Sequence, residues 1–265
     1  MVTVRQPTVA GMFYPRDERA LRAAIAECFA AANSDSADDT APPKAIIAPH
    51  AGYIYSGPVA ASVYVRLAPL RNTVGRVVLV GPSHRVGFRG IALPDVEAFE
   101  TPLGTVPVDR AAVSGLAAFS QVNVVPVAHA SEHSLEVHLP FLQTVLGTFS
   151  LVPLVVGDAD TAEVAEVMEA LWGGPETLIV VSSDLSHYHD YDTARRIDTA
   201  TSAAIEALDD GRIGWDDACG RLAVCGLLRV ARHHGLAARV VDLRNSGDTA
   251  GARDRVVGYG AYVIG

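Results

Sequence analysis

At 265 residues, 49% of them apolar, the chain is long enough to bury a substantial core. A formal net charge of −9 and a pI near 5.4 exclude the basic face that nucleic-acid binding needs, and no block of five or more like charges occurs. No window approaches the roughly 18 uncharged apolar residues of a membrane span, and three cysteines are an odd count for a disulfide framework. With no apolar leader run before Pro7, the expectation is a cytoplasmic protein with free thiols that faces small molecules.

Residues 17–32 predict a first helix, with Asp17 as N-cap and Leu21, Ile25, Cys28 and Phe29 on one apolar stripe. Cys28 reads as a core residue, since a buried thiol behaves as a small hydrophobe. The polar stretch 33–43 reads as a surface loop. From Lys44 onward strands and helices alternate: strand 44–48, helix 57–67, strand 76–80, and shorter extended pieces at 90–93 and 104–108. Then come helix 109–118, strand 122–127, helix 135–146, strand 151–156, helix 160–171 and strand 177–182. Helices at 193–208 and 219–234 and strands at 237–243 and 256–264 complete the chain. This alternation predicts a single α/β domain over 1–265, a central, mostly parallel sheet with helices on both faces.

Three of the apolar runs end in polar residues able to hold a metal. Ala45–Pro49 delivers His50, Val77–Ser83 delivers His84, and Leu178–Ser183 delivers Asp184 and then His187. Ligands of open α/β sheets bind beyond the carboxyl ends of the strands, so three such endings suggest one convergent metal or acid–base site. Asp184 and His187, three residues apart, offer a carboxylate beside an imidazole, while His189 and Asp190 read as solvated. Ser83 lacks the G-x-S-x-G surroundings of a hydrolase nucleophile.

In Ser131–His138 the serines and Glu136 offer helix capping, and the histidine spacing is not that of a zinc-protease helix. There His133 is placed as a pocket residue and His138 as a hydrogen-bonded helix residue. His129, His233 and His234 are assigned to surface or packing roles. Tyr53, Tyr55 and Tyr188 offer an aromatic lining, although a tyrosine on a turn also serves packing. Cys219 and Cys225 are six residues apart, about 240° around a helix, so they cannot share one site. On spacing alone neither thiol outranks the other.

Several motifs in fixed order carry a resemblance: RQPTVAGMFYP at 5–15, APHAGYIYSGP at 49–58, GPSH at 81–84 and EHSLEVHLPF at 132–141. VVSSDLSHY at 180–188, CGRLAVCGLL at 219–228, and NSGD and VVGYGAYV near the end complete it. The chain resembles the Memo family, whose bacterial and archaeal members are called AmmeMemoRadiSam system protein B. The resemblance implies a fold similar to class III extradiol ring-cleaving dioxygenases, which hold non-haem Fe(II) with two His and one carboxylate; in the Memo family a cysteine replaces the carboxylate. It implies His50, His84 and Cys219 as metal ligands and His187 as acid–base residue with Asp184 beside it. Cys219-Gly220 fits the family's phase against Leu227-Leu228, while the family's Pro is Ala223 here.

Fe(II) is the implied ion, with Cu or Zn made stronger competitors by a soft thiolate. A small-molecule, aromatic substrate and a radical-SAM protein with a small companion are the implied partners. The expected activity is that of a metal-dependent oxidoreductase. The alternatives are a metal-binding or partner-binding component without turnover, and a metal or Cys/His hydrolase.

Overall fold

A computed structural model describes residues 3–32 and 42–265, so the surface loop expected at 33–43 lies, except for Pro42 and Pro43, outside the described residues. In chain order the first elements are β1 (Val4–Arg5), α1 (Glu18–Ala30), β2 (Ala45–Ala48), α2 (Tyr53–Tyr64), β3 (Arg76–Pro82), β4 (Ile91–Leu93), β5 (Ala98–Thr101), β6 (Gly104–Pro107) and α3 (Arg110–Gly115). They are followed by β7 (Val122–Val124), α4 (Pro126–Ala130), α5 (Leu139–Leu146), β8 (Ser150–Val156), α6 (Thr161–Ala170) and β9 (Thr177–Ser182). Last come β10 (His187–His189), α7 (Tyr191–Glu206), α8 (Arg221–His233), β11 (Ala238–Asn245) and β12 (Val256–Ile264).

The main sheet runs β10-β12-β2-β9-β3-β8-β4-β7, with β11 also paired to β12; β1, β5 and β6 form a small second sheet. Its heart, β2-β9-β3-β8, is parallel, as the alternation predicted. Outside that heart the sheet is mixed rather than mostly parallel: β12 is antiparallel to β2, β10 and β11, and β4 is antiparallel to β8. The short link between β11 and β12 leaves no room for the crossover helix that a parallel pair needs.

Side chains of the central strands alternate between two apolar layers. Ile46, Val77, Leu79 and Val180 face one, while Ile47, Val78, Val80 and Val181 face the other. Every residue of β2 and β9 is buried, which explains why Ala45–Ala48 and Leu178–Val181 are uninterrupted apolar runs.

Proline sets two boundaries that differ from the sequence reading. The strand begun at Val122 stops at Val124 because Pro126 opens α4. The helix expected from residue 135 begins as a 3-10 turn, Glu136–His138, and becomes α-helical only at Leu139, with Pro140 in the first turn. The capping expected of Ser131, Ser134 and Glu136 is not formed: Leu135 stands at the N-cap without a side-chain bond. The Glu136 carboxylate instead receives Arg5 Nη1 (2.7 Å), the Thr8 and Val9 amides and the Tyr14 hydroxyl (2.7 Å). Two of the sequence motifs are thereby locked together through one buried ion pair.

Candidate metal centre

Ala48 pairs with Ser182 and Val80 with Val181, so β2, β9 and β3 end along one edge. His50, Asp184 and His84 each follow two residues later, and the convergence expected from the strand endings is met. Two close approaches complete the site. A Cβ on Gly81 would stand 2.9 Å from both Ser134 Oγ and Leu135 Cδ2, so glycine admits the segment carrying Glu132, His133 and His138. A Cβ on Gly220 would collide with the Ser182 carbonyl and stand 2.7 Å from Ser183 Cβ, so glycine admits the turn carrying Cys219.

The imidazoles of His50, His84 and His133 bring one ligand atom each to within 4.8 Å of one another, a cluster able to hold a metal ion. Their ring centroids are 5.1 Å (His50–His84), 5.4 Å (His50–His133) and 4.5 Å (His84–His133) apart. Cys219 Sγ lies 3.3 Å from His50 Nε2. Cys225 is buried in the layer behind α8, its thiol on the Asp210 carbonyl, so the two thiols open by spacing occupy different places.

The protons around His50 can be counted. Ser182 has one hydroxyl hydrogen and donates it to the Ser134 carbonyl (2.6 Å). The other two partners of Ser182 Oγ must therefore donate: His50 Nδ1–H at 2.5 Å and His138 Nε2–H at 2.9 Å. His138 Nδ1 in turn accepts from the Tyr64 hydroxyl (2.7 Å). With Nδ1 protonated, neutral His50 directs the lone pair of Nε2 into the site. His84 is oriented in the same way: Nδ1–H donates to Glu132 Oε1 (2.8 Å), which turns Nε2 toward the site.

The rest of the Glu132 carboxylate accepts the amides of His84 (2.6 Å), His133 (3.0 Å) and Ser134 (2.9 Å). Burial alone would raise its pKa, but the bonds and charge of His84 and the amides outweigh burial and bring it down to about 2. Burial and mutual repulsion hold His50 well below the usual imidazole range, with His133 at about 4 and His138 at about 3. At neutral pH these rings are neutral, the form that binds metal. Burial, reinforced by the nearby Asp184 carboxylate, pushes the Cys219 thiol up, so only a cation would make it a thiolate.

Asp184 is buried and serves the His50 turn: its Oδ1 accepts the His50 amide at 2.7 Å and the carboxylate also receives the Ala51 amide. Burial raises it to about 7 despite those bonds. The chain between Asp184 and His187 joins the β12 ladder through Leu185 and Ser186 at Gly258, while the carboxylate holds main-chain amides of the His50 turn. His187 is bonded to the Leu185 carbonyl; burial, reinforced by the charge of His84, holds it below the usual imidazole range, and its own charge acts on His50. It sits on a bulge beside Tyr188, whose φ of 64° is left-handed.

Tyr53, expected as a pocket residue, donates its hydroxyl to the Val137 carbonyl (2.7 Å), packs its ring on Phe141 and Tyr14, and lines a second cleft with Tyr14 and Cys28. Ser83 donates to the Val86 carbonyl (2.7 Å), not to a base. A cleft of about 230 Å³ runs from Ser83 and Phe88 past Cys219 to Trp215 and Arg221. Glu132, Ser182 and Tyr64 are the positioning residues that sequence reasoning missed. Only Glu132 carried a signal, as a carboxylate adjoining a candidate histidine.

Fold and site together define a mixed α/β protein with a histidine cluster, able to hold a metal ion, at the carboxyl edge of its parallel strands. The chain belongs to the Memo family: the family model described as Memo-like protein matches residues 5–263. It is 36% identical to a MEMO1 family protein of Methanothermobacter thermautotrophicus, over 97% of this chain and 98% of that one. It is 37% identical to one from Methanosarcina acetivorans (98% and 99%) and 35% identical to one from Aquifex aeolicus (97% and 97%). Among solved structures, an uncharacterized protein from Escherichia coli K12 shares the fold, with a TM-score of 0.52 at 14% identity over 83% of this chain and 98% of that one.

Proposed function

We propose that this chain is a metal-dependent oxidoreductase resembling the extradiol dioxygenases, with His50, His84 and Cys219 as ligands and Fe(II) as the ion, Cu or Zn being its competitors. The observation that carries the reading is the pair of imidazoles whose Nε2 is turned to the site because a neighbour accepts the Nδ1–H hydrogen bond. Cys219 stands where it could share an ion with His50: on a tetrahedral metal an imidazole nitrogen and a thiolate sulfur are about 3.6 Å apart, against 3.3 Å for His50 Nε2 and Cys219 Sγ. His133, half-buried, with its enclosed Nδ1 3.3 Å from Glu132 Oε1 but not hydrogen-bonded, completes the lining.

An Fe(II) or Cu(I) ion would supply electrons for chemistry with O₂ and polarise a bound phenol or enol. The protein supplies the rest. Glu132 and Ser182 hold the two imidazoles in the binding tautomer, and Asp184 holds the His50 turn. His187, kept neutral by burial, takes the substrate proton. The cleft beside Cys219, walled by Phe88 and Trp215, suits a planar aromatic substrate. Family membership extends the proposal to a radical-SAM protein and a small companion as partners. Among the described residues no helix is long and apolar enough to cross a membrane.

Elemental analysis of protein purified without chelating tags tests the ligand set: His50→Ala, His84→Ala and Cys219→Ser should each lose the native metal. Anaerobic Fe(II) reconstitution followed by O₂ uptake with catechols and aminophenols tests turnover. Tight metal binding without uptake would overturn the oxidoreductase reading in favour of a metal-binding component.

A further inference from the structure

A second group of ligands lies on a different surface. Glu169, His233 and His234 bring one ligand atom each to within 4.8 Å of one another. Glu169 Oε2 stands 3.3 Å from His233 Nδ1, and Oε1 stands 2.8 Å from His234 Nε2. Two ligands on a tetrahedral ion with bonds of about 2.0–2.1 Å are about 3.3 Å apart. Each ring meets a different oxygen of Glu169, at 3.3 and 2.8 Å, so a small opening of both contacts admits an ion between the carboxylate and the two rings.

The location independently favours a cation. Glu169 is in the last turn of α6 and His233 closes α8, so the negative ends of two helix dipoles meet at this point. Arg232 is engaged with Asp210 and the Leu208 carbonyl, and Lys44, 5.3 Å from the centroid of the Trp172 ring, donates to the Gly174 and Thr177 carbonyls. The His234 ring is stacked on Trp172, centroids 4.7 Å apart and planes 11° from parallel, which fixes the direction of its Nε2.

We propose that Glu169, His233 and His234 form a second, surface metal site that takes a borderline divalent ion such as Zn(II), Ni(II) or Cu(II). Two imidazoles and a carboxylate suit that class, and exposure leaves a fourth position for water. The site clips α6 to the far end of α8, the helix whose other end follows Cys219. A 13-residue helix spans about 20 Å, so the clip is separate from the cluster at the sheet edge and does not depend on the activity proposed there.

Trp172 is the built-in reporter. The chain has two tryptophans, so Trp215→Phe leaves Trp172 alone. Ni(II) should quench its emission saturably, and the quench should persist when His84→Ala is added. Glu169→Gln and His233→Ala, which leave the stacked ring in place, should each raise the Ni(II) midpoint at least tenfold and lower bound Ni(II) in equilibrium dialysis by one per chain. Far-UV circular dichroism checks that these exposed-site variants remain folded. A midpoint unchanged in both variants, or no saturable quench together with an unchanged dialysis ratio, would overturn the proposal.

Discussion

Glu132→Gln isolates the outer support of the proposed centre. In the parent protein every hydrogen bond to this carboxylate is an acceptor bond: His84 Nδ1–H, and the amides of His84, His133 and Ser134. Glutamine has one carbonyl oxygen, and its NH₂ must face either the His84 amide or the His84 ring together with two amides. In the second orientation the ring relieves the conflict by moving its proton to Nε2, which removes the lone pair a metal needs. Loss of such an outer partner weakens metal binding about 10- to 100-fold, or about 1.4–2.7 kcal/mol.

Stability falls as well. The carboxylate goes from an ordinary 4.5 to about 2 on folding, a difference of about 3 kcal/mol. Because the folded pKa is depressed, that contribution is present above pH 4.5 and is lost as pH falls toward 2. At about 2–4 °C per kcal/mol, the variant should melt roughly 6–12 °C below the parent at pH 7. Competition titration of Zn(II) against a chromophoric chelator and calorimetry of metal-free protein read the two effects. Metal affinity within twofold of the parent, in a folded variant, would refute the tautomer argument.

Four further outcomes follow from the same structure. Glu136→Gln should destabilise the protein by about 3–5 kcal/mol in urea unfolding, since it strands the buried Arg5 guanidinium. In metal-free protein, His138 is unprotonated when folded down to about pH 3 but protonated when unfolded below about 6.5. Stability should therefore fall on acidification across that window, and His138→Gln should flatten the slope by about 1.4 kcal/mol per pH unit. Gly220→Ala should cost about 1–3 kcal/mol by calorimetry and lower metal content, because the new methyl drives the Cys219 turn off the end of β9. Cys225→Ser should leave metal content unchanged while Cys219→Ser abolishes it, given that only Cys219 touches His50.

The parallel heart of the sheet was legible because β2, β3, β8 and β9 are buried on both faces and read as continuous apolar runs between turn residues. The sites of His50, His84 and Asp184 were legible for the same reason, each following a strand end. The two-residue β1 and the three-residue bulged β10 were not, being too short to show a period. The hydrogen-bond chain Tyr64–His138–Ser182–His50 was invisible because its members come from four separate segments and meet only through packing. The partners of Tyr53 and Asp184, the Val137 carbonyl and the His50 amide, lie 84 and 134 residues away in the chain and could not be read from local spacing.

The most direct test of a shared ion is X-ray absorption at the metal edge of protein reconstituted with one equivalent of Zn(II), in a Glu169→Gln background that disables the surface clip. The spectrum should contain imidazole nitrogen at about 2.0–2.1 Å and one sulfur at about 2.3 Å. The sulfur shell should vanish in Cys219→Ser and the imidazole signal should weaken in His84→Ala. A shell of nitrogen and oxygen alone, unaltered by either substitution, would contradict the joint ligation of one metal by His50, His84 and Cys219.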